Sequence, residues 1–190
     1  MASNGVIGEI ERRDREITER ALRDYLEAKG DIEDVRFIET EITDSIDLKC
    51  QYLKKNGRKK ELKTLHIEIK ERFKNRENMM RYPSAELKQD KYWRMRDYSL
   101  GQNEEGDVVL IYIVLLNRKK MLVFDLDHRS CLDMKDVFYW RIKRTQVDFI
   151  SEMVTVPTYL IPYEEAILEI DIEKYFIDYA RDSETEKEEG

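Results

Sequence analysis

Eight residues, Leu65-His66-Ile67-Glu68-Ile69-Lys70-Glu71-Arg72, constrain this chain more than any other stretch. Leu65, Ile67 and Ile69 alternate with His66, Glu68 and Lys70, and a period of two is the pattern of a strand whose side chains point to opposite faces. The isoleucine face belongs in a core. The other face carries a histidine, a carboxylate and an amine. Burying an acid and a base only to fill space costs free energy. The same pair suits metal-assisted hydrolysis, in which a carboxylate holds a divalent cation and an amine serves the attacking water.

Charge enters the argument through its distribution. The 190 residues hold 34 Lys and Arg against 41 Asp and Glu, a net charge of -7. That sum speaks against a general nucleic-acid binder, which needs basic surface. Residues 49–96 alone, however, carry 16 basic and 6 acidic side chains, and the remainder is correspondingly acidic. The basic excess surrounds the opening stretch, and blocks of opposite sign are the better guide to partners. Cys50 and Cys131 form no metal-ligand spacing and read as reduced, buried residues. Met1 to Gly8 lacks an apolar signal core, and no apolar run approaches the roughly 18 residues of a membrane span. The chain is expected to be intracellular, cytoplasmic and away from membranes.

Residues 9–29 show an apolar stripe at helical spacing and stop at Gly30. Glu16 and Glu19 lie at the edge of that stripe. From Asp34 the period falls to two. A first strand runs through Val35 and Phe37, with Glu39 to Ile42 a candidate continuation. A second covers Ser45 to Leu53 and a third Leu62 to Lys70. The latter two are joined by a turn at Asn56-Gly57. That hairpin makes Asp47 and Glu68 neighbours. Ser84 reads as the N-cap of a helix ending near Gly101, with Tyr92 and Trp93 as core residues. Val108 to Leu116 is apolar almost throughout, the mark of a strand buried on both faces, and Met121 to Leu126 returns beside it. Leu132 to Arg144, with Phe138-Tyr139-Trp140, reads as a short helix or irregular segment. Val147 to Val156 reads as a short strand, and Pro157 and Pro162 as bounds of a turn. A final helix is expected around Asp171 to Tyr179 and a disordered acidic tail from Arg181. The fold class expected is α/β (α+β), a mixed sheet flanked by helices. The expected division is a core at 1–127, an extension packed on it at 128–180 and a tail at 181–190.

The order of these pieces resembles the PD-(D/E)XK nuclease superfamily, and in particular its Holliday-junction-resolvase-like branch. Asp47 in Asp44-Ser45-Ile46-Asp47-Leu48 matches the family's Asp, and Glu68 and Lys70 match its (D/E)-x-K. Ile46 stands where the proline of the name would be. Glu19 through Leu26 matches the preceding acidic helix, and Lys88-Gln89-Asp90-Lys91 the opening of the following one. The likeness covers roughly residues 9–116. It implies a restriction-endonuclease-like α-β-β-β-α-β core and a DNA nuclease dependent on Mg²⁺, with Mn²⁺ as a substitute. Asp47, Glu68, the Ile69 carbonyl and Glu19 would be metal ligands, with Glu16 one turn away as the alternative to Glu19. Lys70 would activate or orient the water. Lys88, Gln89, Lys91, Lys54, Lys55, Arg58, Arg72 and Lys74 would contact phosphate. Cutting both strands takes two active sites, which points to a homodimer with residues 147–163 as the candidate interface.

Taken singly, these residues have plainer readings. Asp47 is then a solvent-facing strand residue, and Glu68 with Lys70 an ion pair worth under roughly 1 kcal/mol if exposed. His66 reads as structural. The alternative function is a catalytically inactive module on the same fold that binds DNA or a partner protein. An RNA substrate is not distinguished from DNA by these residues.

Overall fold

The apolar run Asp107–Leu116 becomes the central strand of a mixed six-stranded sheet, covered on both faces. The computed structural model describes residues 3–38, 40, 45–73, 84–101, 106–127, 134–144 and 149–188, with side chains at 8–38, 40, 45–73, 84–101, 106–127 and 154–182.

Helix α1 spans Ser3–Glu27. Strands β1 (Ile32–Ile38), β2 (Leu48–Asn56) and β3 (Lys59–Arg72) follow as an antiparallel meander. Gly57 turns β2 into β3 with φ of 62°, the positive value that a two-residue hairpin loop beginning with Gly requires. Strand β4 (Ser84–Lys88) and helix α2 (Gln89–Gly101) carry the chain to β5 (Asp107–Leu116), which pairs with β3 in parallel. Strand β6 (Lys120–Asp125) returns antiparallel to β5. Strands β7 (Met134–Arg144) and β8 (Phe149–Pro162) form a second sheet with β4, in the order β4-β8-β7. Strand β9 (Leu168–Asp171) joins the edge of the first sheet beside β6, and helix α3 (Glu173–Glu188) follows. The fold is thus mixed α+β, with three α-helices among the described residues. Of the helices described, none is long and apolar enough to cross a membrane.

Two cores lie on opposite faces of the six-stranded sheet. On one, Leu48, Cys50, Ile67, Ile69, Ile111, Ile113 and Leu115 pack with Ile17, Ala21, Leu22 and Leu26 of α1 and with Tyr175 of α3. On the other, Leu110, Tyr112, Val114 and Phe124 pack with Tyr92 and Met95 of α2 and with Ala85, Leu87, Tyr159 and Ile161 of the second sheet. The alternation within β3 therefore decides the site. Ile67 and Ile69 go to the α1 side, so His66, Glu68 and Lys70 go to the side of α2.

Several sequence expectations change. Ser84 to Lys88 is a strand, not the first turn of a helix: Ala85 and Leu87 are buried and pair across to Ile161 and Tyr159. Residues 134–144 are a strand rather than a helix or irregular segment. Pro157 and Pro162 lie within β8, Pro157 one residue beyond the last pair with β4. Trp93 is 45% exposed rather than core. Helix α3 continues to Glu188, into the segment expected to be a disordered tail. Strand β9 and Ile172 tie the C-terminal part into the first sheet and its core. Glu39, Glu41, Ile42, Cys131 and the side chains of Phe138, Tyr139 and Trp140 lie outside the described residues.

Gly106 at the entry to β5 has φ of 92°, and a Cβ there would lie 2.3 Å from the Leu62 carbonyl oxygen. Gly106→Ala is expected to cost roughly 1–3 kcal/mol in backbone strain alone, with the forced shift of Leu62 added. Thermal melting followed by circular dichroism should show it as a drop of several degrees.

Candidate functional site

Asp47 sits one residue before β2, in a bend that leaves its backbone N–H donating to the Ile67 carbonyl at 2.8 Å. Its side chain turns along β3, and Oδ2 accepts the Ile69 N–H at 2.7 Å. The N–H and C=O of a strand residue point the same way, so the Ile69 carbonyl is directed toward the Asp47 edge as well. Glu68 lies between, only 2% exposed. Its carboxyl and that of Asp47 are within reach of one another. Burial first, and then the Asp47 charge and hydrogen bond, push the Glu68 carboxyl up to about 7; Lys91 opposes them.

Two amines answer Glu68. Lys91, from the first turn of α2, places Nζ 2.7 Å from Oε2. That approach is off the line of a hydrogen bond, so Oε2 makes an ion-pair contact but no aligned bond among the described residues. Lys70 Nζ is 3.7 Å from Oε1, with its side chain half exposed. Both line a cleft of about 260 Å³ whose other cations are Arg72, Lys88 and Arg94. Tyr112 forms part of its wall and donates its hydroxyl to the Glu86 carbonyl at 2.8 Å. Burial raises the Tyr112 pKa further above its ordinary value.

Asp47, Glu68, Lys70 and the Ile69 backbone are thus gathered at one edge, with Lys88, Lys91 and Arg72 beside them. Glu19 is not. It stands on α1, which covers the other face, and its charge acts on the buried Cys50 thiol, which burial pushes up to about 12. Glu16 pairs with Arg12 at 3.8 Å on the outside of α1. Among the described residues no three His, Cys, Asp or Glu side chains assemble as a metal cluster, so the side-chain donors present are the two carboxylates. Lys54, Lys55 and Arg58 lie at the far end of the β2–β3 hairpin, roughly 27 Å along the strand from Asp47. Lys55 is held there by Glu33 at 2.5 Å, as is Lys60 at 2.6 Å. Gln89 begins α2 and does not line the cleft. Lys74 lies outside the described residues.

His66 is fully buried on the Glu68 face, its Nδ1 2.5 Å from Ser99 Oγ and its ring edge-on to Tyr98. It fastens α2 to the sheet. On the opposite face, Glu71 pairs with Arg13 of α1 and Arg118 of the β5–β6 turn, both at 2.9 Å. The strand end that carries Lys70 is therefore fixed from both sides. Arg94 was missed as a cleft residue from sequence, although its i, i+3 spacing from Lys91 put it on the same helix face. Glu86 and Tyr112 had no such signal, because Glu86 reaches the cleft through the pairing of β4 with β8, and Tyr112 through the parallel pairing of β5 with β3 that sets it opposite Glu68.

The Glu68 carboxyl also sets a pH dependence. It titrates near 4.5 in the unfolded chain and at about 7 in the fold, so the fold favours its protonated form. Below pH 4.5 both states hold the proton and the contribution is complete. As pH rises toward 7 the unfolded state ionises first, and stability is lost. The metal-free protein is expected to lose roughly 3 kcal/mol from this group between pH 4.5 and 8. Urea midpoints of wild type and Glu68→Gln in chelator, compared across that range, should diverge as pH rises, with the variant gaining on wild type.

Compared with models of known families, with curated proteins and with solved structures, the chain matches none.

Proposed function

We propose that this chain hydrolyses DNA phosphodiester bonds with a divalent cation, Mg²⁺ or Mn²⁺, as a nuclease of the PD-(D/E)XK type. The observation that carries this reading is the approach of the half-buried Asp47 carboxylate to the buried Glu68, which together with Lys70 lines a cleft with basic walls. The succession of elements supports it. Apart from the inserted β4, the order α1, β1, β2, β3, α2, β5 is the one the resemblance implies, with the two helices on opposite faces.

The residues fit a hard cation. Two carboxylates are held together against their mutual repulsion, Glu68 Oε2 has no aligned hydrogen bond among the described residues, and the Ile69 carbonyl is directed to the same edge. These are oxygen donors, few enough to leave positions for water, as Mg²⁺ prefers. When bound, such a cation neutralises charge on the phosphate and lowers the pKa of the attacking water. Asp47, steadied by the Ile69 N–H, and Glu68 hold it. Lys70, reaching into the cleft, orients the water and meets charge on the non-bridging oxygens. Arg72, Lys88 and Arg94 grip the flanking phosphates. Glu19 and the distant hairpin lysines have no part in this reading.

One observation favours the second reading, an inactive module that binds DNA or a partner protein: Lys91 already neutralises Glu68. The two are separated by incubating the protein with supercoiled, linear, branched and single-stranded DNA in Mg²⁺ or Mn²⁺, and again in chelator. Cleavage of at least one substrate that chelator abolishes is expected. Binding with no cleavage of any substrate would leave the inactive module standing.

A further inference from the structure

We infer that Lys91 is an exchangeable counter-ion of this site, holding Glu68 when no divalent cation is bound and competing with that cation for the same carboxylate. The inference rests on the metal-dependent reading above. It begins from the depth of Glu68. A carboxylate 2% exposed beside a second carboxylate needs a positive charge close by. Lys70 supplies little of it, being half exposed with its ammonium 3.7 Å away. Lys91 supplies most, at 2.7 Å and with a side chain only 19% exposed.

The contact is close but single: Lys91 meets Oε2 as a point charge rather than as a fixed fork. Lysine carries that charge on a flexible four-carbon stem, and Lys91 itself lines the cleft. A divalent cation brings twice the charge to the two carboxylates and displaces the ammonium from Oε2. The displaced ammonium stays in the cleft with Lys70, Arg72, Lys88 and Arg94. There a substrate phosphate is its next partner. Loading of the cation and grip on the phosphate are then coupled through one side chain. This gives Lys91, named from sequence only as a phosphate contact, a second role in the state without metal.

The test is Mn²⁺ titration of chelator-stripped protein without nucleic acid, followed by electron paramagnetic resonance of the free ion. The set is wild type, Lys91→Met, Lys91→Arg, Arg94→Met and Glu68→Gln, with thermal melts to establish folding. Lys91→Gln is the second neutral variant if Lys91→Met does not fold. Removing the competitor is expected to tighten Mn²⁺ binding about tenfold, within the usual range for coupled ligands. Lys91→Arg should restore affinity toward wild type, Arg94→Met should stay near it, and Glu68→Gln should lose binding. If Lys91→Met binds no more tightly while Glu68→Gln loses binding, Lys91 is not the competitor and the metal site stands. Equal tightening in Arg94→Met would reduce the effect to the general field of the cleft and overturn the inference. No Mn²⁺ binding by either wild type or the Lys91 variants would remove both the inference and the metal-dependent reading.

Discussion

Lys70→Ala is expected to lower metal-dependent DNA cleavage by about 10²–10³-fold, the usual effect of removing one preorganised group that meets transition-state charge. It should leave Mn²⁺ binding in place. The difference follows from geometry. Lys70 is half exposed and 3.7 Å from Glu68, so its loss leaves both carboxylates where they are. Glu68→Gln takes away a donor and should remove cation binding and cleavage together. That variant is also expected to be more stable than wild type at pH 8 in chelator, because an ionised Glu68 is costly at this depth. A substitution that gains stability and loses activity marks a residue retained for chemistry rather than for packing. Single-turnover cleavage, urea midpoints and Mn²⁺ titration on the same preparations separate the two effects.

Phe124→Ala is expected to destabilise the protein by about 3–5 kcal/mol, the range for truncating a buried aromatic side chain. Phe124 is completely buried in β6, 6.2 Å ring to ring from Tyr112. Its cluster joins the first sheet to α2 and to β4 and β8 of the second sheet. The loss should appear as a fall in melting temperature of roughly 2–4 °C per kcal/mol for a domain of this size. It bears on function because Tyr112 lines the cleft and α2 carries Lys91. Trp93→Ala, on the exposed side of the same helix, should change stability by only a few tenths of a kcal/mol. Equal losses from the two substitutions would mean that the second sheet is not part of the core.

The parts of the fold legible in the sequence are those with long, regular periods. Alternation over β2 and β3, the Asn56-Gly57 turn signal where β2 ends and the unbroken apolar run of β5 each point to one local structure. Strand β4 was not legible. Its five residues, Ser84-Ala85-Glu86-Leu87-Lys88, alternate for too short a distance to outweigh a serine in N-cap position. Strand β7 hides behind mixed aromatic and basic residues; β8 was legible in its first half, as the strand expected at Val147 to Val156, but two prolines masked its continuation to Pro162.

The site divides in the same way. Asp47 and Glu68 meet because a hairpin of known register joins them. Helical spacing placed Glu19 near the edge of an apolar stripe, but which face of the sheet α1 covers depends on packing, and α1 covers the face opposite Glu68, where Glu19 acts on Cys50. Local charge density misled as well. Lys54, Lys55 and Arg58 belong to the basic block in sequence, yet the length of β2 carries them away from the cleft, and Lys55 is engaged by Glu33. The ion pair of Lys91 with Glu68 depends on how α2 docks, and no local pattern reports that.

In the proposed function, Asp47 and Glu68 together hold a cation that works on DNA. The most direct measurement is the rate of plasmid nicking at increasing Mg²⁺ for wild type beside Asp47→Asn and Glu68→Gln. Wild-type nicking that saturates with Mg²⁺ and is lost in both variants is the result predicted. Nicking that is independent of Mg²⁺, or that persists in both variants at the wild-type rate, would contradict it.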